Sequence, residues 1–198
     1  ITISEAWMFF IALGSLSIAL LVFTNTLTLK ISLFFALLIM IYPLTKRFFP
    51  APQFVLGITF GSGSLIAYSL QSDIFSFSLV ILYLGIVSWI IGFDTLYALE
   101  DKDDDIKINI NSTAILWGDN AIKYAQILHL AFFASLLIIA ILNKFSFYFI
   151  FVFMGHMIVY FYKKSLIKRF KFLQAFKANN WIGIIAVSGF LFEFFQLA

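Results

Sequence analysis

Three aspartates, Asp94, Asp101 and Asp105, carry the strongest chemical signal in a 198-residue chain that is 63% hydrophobic and only 12% charged. Seven of its ten acids fall between Asp94 and Asp119. If the segment were one continuous helix, the three side chains would lie within about 40° of each other. Small Ala98 on the same side leaves room beside them. Asp101 and Asp105, four residues apart near a helix C-terminus, repel one another and the helix dipole. A divalent cation relieves both conflicts, and oxygen donors without His or Cys nearby favour Mg²⁺. Mg²⁺ usually takes one or two carboxylates plus phosphate oxygens, so the pattern implies a phosphorylated ligand.

The plainer alternative is a solvated loop partly neutralised by Lys102 and Lys107. Asp94 weighs against it, because it interrupts the apolar stretch WIIGFDTLYAL, where an ionisable group is costly and marks function. A calcium loop on Asp101, Asp103 and Asp105 is excluded. Ile106 stands where such a loop needs Gly, and Ser112 where it needs Glu.

A second set of candidates, Tyr42, Lys46 and Arg47, lies in IYPLTKRFFPAP. Arg grips a diphosphate or carboxylate with two parallel hydrogen bonds, and Lys acts as a mobile point charge. A Lys-Arg pair after an apolar segment is equally what membrane topology alone predicts. The stretch Lys163–Lys177 alternates basic and apolar residues and reads as a loop lying on an anionic membrane surface. Asn179 and Asn180 follow it and carry no mechanism by themselves. Gly57, Gly61 and Gly63 suggest close helix packing. His129 and His156 read as core residues, and Trp89, Trp117 and Trp181 as interfacial anchors. The sequon at Asn111 is discounted because its loop reads as cytoplasmic.

The elements that must position these residues are membrane helices. Apolar runs of spanning length, about 17–25 residues, recur along the chain, whose mean hydropathy is +1.03. Seven spans are expected: Ala6–Phe23, Leu27–Tyr42, Phe54–Leu70, Phe75–Leu99, Ala121–Leu142, Phe145–Tyr162 and Trp181–Leu197. Thr2 and Glu5 form a capping box before the first. Pro43, Pro50 and Pro52 fall in one break, where a missing donor costs least. The fold class is therefore all-α, a polytopic helix bundle in a single integral-membrane domain over residues 1–198. Eleven of the thirteen Lys and Arg residues lie in the second, fourth and sixth breaks, which puts those loops and the acids on the cytoplasmic side. No cysteine is present, so disulfide and thiol chemistry are excluded.

Taken together, YPLTKR (42–47), QFVLGITFGSGSLIAY (53–68), DTLYALEDKDDDIKINI (94–110), STAILWG (112–118) and AFKANNWIG (175–183) resemble the UbiA-type membrane prenyltransferases. The resemblance is to the branch acting on 4-hydroxybenzoate in ubiquinone biosynthesis. The run from Asp101 to Asp105 looks like the family's second Asp-rich motif. Glu100 stands where an apolar residue is common, and Asn109 where Gly is common. Nothing matches the family's first Asp-rich motif. The chain is expected to correspond to helices 3–9 of a nine-helix fold and to be inactive by itself.

The resemblance implies transfer of a polyprenyl group from polyprenyl diphosphate to 4-hydroxybenzoate, with Mg²⁺ as cofactor. It implies Asp101 and Asp105 as metal ligands, and Lys46, Arg47 and Asp94 as catalytic residues. Tyr42, Lys46, Arg47, Lys102 and Asn180 would bind substrate, with Arg47 meeting the benzoate carboxylate. The expected partners are the lipid bilayer of the inner (cytoplasmic) membrane and other quinone-biosynthesis proteins, with no nucleic acid. Two alternatives stand beside this reading. One is a relative acting on naphthoate, homogentisate or haem, and the other a non-catalytic remnant or scaffold.

Overall fold

The computed structural model describes residues 1–197. Ten α-helices follow in order: α1 (Ile3–Leu21), α2 (Thr26–Thr45), α3 (Pro52–Ser69), α4 (Phe77–Glu100), α5 (Lys102–Lys107), α6 (Thr113–Leu116), α7 (Ala121–Leu142), α8 (Ile150–Lys168), α9 (Phe172–Lys177) and α10 (Asn179–Leu197). No strand occurs among the described residues. Among the described residues, six segments are long and apolar enough to cross a membrane. The remaining long helix, α3, sits at the position of the third expected span. Its Gln53, Thr59, Ser62 and Ser64 lower its apolar character, yet it packs between α2 and α4 like the others.

Local chemistry sets the helix starts. Thr2 N donates to Glu5 Oε2 at 2.7 Å and Glu5 N to Thr2 Oγ1 at 3.3 Å, the reciprocal box expected from the sequence. Asn25 and Ser76 cap α2 and α4 one way only, their side chains accepting from Thr28 N and Leu79 N. Pro52 occupies the first turn of α3, where its missing donor is harmless. Pro43 corrects the sequence reading: it lies inside the last turns of α2 rather than in the break.

The central helix is α4, packed against α3, α7 and α9. Glycines allow two of these approaches. A Cβ on Gly57 would meet Ile91 at 2.9 Å and the Val87 carbonyl at 3.0 Å, and one on Gly92 would meet His129 at 2.9 Å. Gly63 faces open space and has no such role. At the opposite end from the acids, buried Glu193 of α10 accepts hydrogen bonds from Ser146 N and Oγ at 2.8 and 2.6 Å, anchoring the turn into α8. No residue of α1 is buried.

The fourth helix does not run through the acids as one piece. α4 ends at Glu100, and Asp101 adopts φ −91°, ψ 1° before the short α5 begins. Asp105 N still donates to Asp101 O at 2.9 Å, so the one-turn spacing of the two aspartates survives the break.

Candidate functional site

The short α5 follows α4 directly across the break at Asp101. Asp94, Asp101 and Asp105 then line one cavity of about 360 Å³, together with Tyr42, Lys46 and Gln53. Phe93, Tyr97 and Phe176 form its aromatic side. Residues distant in sequence are stitched together around it. Asn111 N donates to Lys46 O at 2.8 Å, joining the acidic segment to the turn after α2. Thr113 N donates to Gln53 Oε1 at 2.9 Å, and the Thr113 and Thr95 hydroxyls share a hydrogen bond of 2.7 Å. Asn109 holds a left-handed φ of 53°, which explains why Asn stands where Gly is common, since these two residues tolerate that conformation best.

Electrostatics follow from this crowding. Burial pushes the Asp105 carboxyl above its ordinary range; Lys46 opposes the shift, while Asp101 and Asp104 add repulsion to it. Asp104 itself faces solvent and pairs with Lys107 at 2.8 Å, so Lys107 neutralises an outer acid and leaves the cavity's acids free. Among the described residues, no three His, Cys, Asp or Glu side chains form a metal-binding group unaided. The donors facing the cavity are carboxylate oxygens, with no imidazole or thiolate. That set fits a hard divalent cation whose remaining ligands come from a phosphorylated substrate.

The other expected site residues are distributed differently. Arg47 is exposed and lies outside the cavity lining, one residue beyond Lys46. Lys102 is half-buried on α5 and also outside the lining. Asn180 lines a neighbouring cavity of about 550 Å³ with Trp89, Asn179 and Gly183. Phe93 and Phe176 belong to both cavities and form the partition between them.

Two residues escaped the sequence reading. Gln53 lies beside Asp94 with its carbonyl held by Thr113; its only signal was an amide at the start of an apolar helix. Lys163 is a correction: it is no membrane-surface residue but sits inside α8, only 3% exposed. Trp89 is half-buried, stacked on Phe132 with ring centroids 5.1 Å apart, and lines the neighbouring cavity.

The fold and this cavity define a multi-pass helical membrane protein with a carboxylate-lined pocket beneath aromatic walls. The chain belongs to the UbiA prenyltransferase family, whose model matches residues 1–184. It is similar to the 4-hydroxybenzoate octaprenyltransferase of Saccharophagus degradans, 34% identical over 98% of this chain and 66% of that protein. The protein of the same name from Francisella tularensis subsp. novicida is 33% identical over 93% of this chain and 66% of its own length. The chain thus spans just under two thirds of these relatives. Its fold matches the apo structure of a UbiA homolog from Aeropyrum pernix K1 with a TM-score of 0.80 and 21% identity, covering 98% of this chain and 74% of that one.

Proposed function

We propose that this chain is part of an enzyme that transfers a polyprenyl group from polyprenyl diphosphate to the ring of 4-hydroxybenzoate. The observation that carries the reading is one cavity shared by Asp94, Asp101, Asp105 and Lys46 under an aromatic wall, in a chain about a third identical to proteins named for that acceptor. The cavity opens at the cytoplasmic side of the inner membrane.

Asp101 and Asp105 would hold a divalent cation, Mg²⁺ by their chemistry. When bound, that ion supplies positive charge against the departing diphosphate. Lys46, lining the same cavity, donates to the diphosphate oxygens, and its charge is worth most on the negative charge that builds as the C–O bond breaks. Arg47, exposed at the same rim, is the second cation and meets the acceptor's carboxylate. Asp94 orients Lys46 and Gln53 beneath the metal-holding pair. Tyr42 and Lys102 bound the headgroup, and Asn180 contacts substrate in the neighbouring cavity. Phe93, Tyr97 and Phe176 exclude water from the allylic cation. The ring carbon ortho to the phenol then forms the new C–C bond and gives up its proton.

The test is prenyl transfer by the complete gene product, comparing 4-hydroxybenzoate with a naphthoate and homogentisate. Asp101→Asn and Asp105→Asn are each expected to lower turnover by about 100-fold or more. Chelation is expected to abolish it, with recovery on adding Mg²⁺. Full activity in either variant would remove the metal-diphosphate assignment, and preference for another acceptor would remove the choice of 4-hydroxybenzoate.

A further inference from the structure

A buried polar cluster lies behind the partition, apart from the acids. Lys163 of α8, His129 of α7 and Asn179, the first residue of α10, are 3%, 3% and 4% exposed. Lys163 Nζ donates to Asn179 Oδ1 at 2.5 Å and to His129 Nε2 at 2.5 Å. His129 Nδ1 donates to the Ala125 carbonyl at 2.8 Å, which leaves Nε2 as the acceptor. Asn179 Nδ2 in turn donates to the carbonyls of Ala175 and Phe176, at 3.1 and 2.7 Å. Trp89 Nε1, from α4, reaches the same Asn179 oxygen at 3.3 Å.

A lysine at this depth is expensive, and no carboxylate is among its hydrogen-bond partners in the described residues. An apolar side chain of similar volume would pack here without that cost, so the amine's donors must serve geometry. What they fix is α9. Asn179 ties down the last carbonyls of α9, while at its other end Leu173 N donates to Glu100 Oε2 at 3.2 Å. Between these two pins, Phe176 packs its ring on Phe93 and Tyr97, with centroids 5.7 and 5.1 Å apart.

We propose that Lys163, acting through Asn179, is a positioning residue that pins α9 so that Phe176 forms the wall between the acid-lined cavity and its neighbour. This rests on the prenyl-transfer reading, since the wall's position matters to activity only if the two cavities hold substrate. His129 is the second anchor: it orients the amine and is itself admitted by the missing Cβ of Gly92.

The test uses the complete gene product in lipid nanodiscs with two readouts, hydrogen exchange over residues 172–180 and steady-state kinetics. Lys163→Met keeps the side chain's length but removes its donors. It is expected to speed exchange in that segment at least tenfold and to lower kcat/KM at least tenfold, without unfolding the bundle. Lys163→Gln carries two N–H donors on a slightly shorter stem and is expected to recover both quantities to within threefold. Asn179→Ala, which removes the cap directly, must reproduce the exchange increase.

Unchanged exchange in Lys163→Met or Asn179→Ala would overturn the pin. Faster exchange with unaltered kinetics would overturn the positioning role, and equal loss in the Met and Gln variants would show that charge, not hydrogen bonding, is what matters. A wild-type protein without prenyl transfer would instead sink the functional reading, with the exchange arm still deciding whether Lys163 pins α9.

Discussion

At the scale of single residues, position relative to the cavity separates groups of like chemistry. Lys46 and Arg47 are neighbours in sequence, but only Lys46 lines the acid pocket, while Arg47 is exposed beside it. Lys46→Ala is therefore expected to lower kcat/KM by about 10–100-fold. Arg47→Ala should cost less than about tenfold and act mainly on the KM for the aromatic acid. Steady-state kinetics with each substrate varied in turn checks this, and an Arg47 effect larger than that of Lys46 would move the main cation to the rim. Asp101 and Asp104 differ in the same manner. Asp101 faces the pocket, whereas Asp104 spends its charge on Lys107 in solvent.

At the scale of elements, the site depends on how closely α4 can approach its neighbours. Gly92 admits His129 from α7, with the Ala125 carbonyl only 3.0 Å from where a Cβ would stand. Because backbone cannot move aside as a flexible side chain does, Gly92→Ala should destabilise the bundle by about 1–3 kcal/mol. Gly63 meets nothing within 4 Å, and Gly63→Ala should be neutral or stabilising by up to about 1 kcal/mol, from helix propensity alone. Thermal unfolding of the two variants side by side tests the contrast, and equal shifts would refute it. The break at Asp101 matters at this scale too. It separates the short α5 from α4 while Asp94, Asp101 and Asp105 still line the same pocket.

At the scale of the whole molecule, orientation in the membrane decides which compartment supplies the substrates. The acids and most Lys and Arg residues are at one end of the bundle, where the positive-inside rule places the cytoplasm. These 198 residues hold no cysteine, so single cysteines placed in them report topology once any cysteine elsewhere in the gene product is replaced. An impermeant maleimide applied to intact cells should label Asp73→Cys and leave Asp104→Cys unreacted until the cells are opened. Both positions are exposed, so the reverse pattern would invert the proposed orientation. The relatives' greater length bears on this scale as well, because the chain covers just under two thirds of them.

What the sequence determined by itself was whatever near neighbours encode. Apolar runs, caps such as Thr2 with Glu5, and the clustering of acids were legible because each depends on residues within a turn or two. The motifs that carry the resemblance gave the family on the same footing. The tertiary structure decided the pairings that span long stretches of chain: Gln53 with Thr113 across 60 residues, Lys163 with His129 across 34, and Lys163 with Asn179 across 16. Lys163 shows the reason most plainly. A basic residue at the end of an apolar run has the same local pattern whether it snorkels to the surface or turns inward. Only the packing of α7, α8 and α10 places two acceptors within reach of its amine, and those acceptors determine that it turns inward.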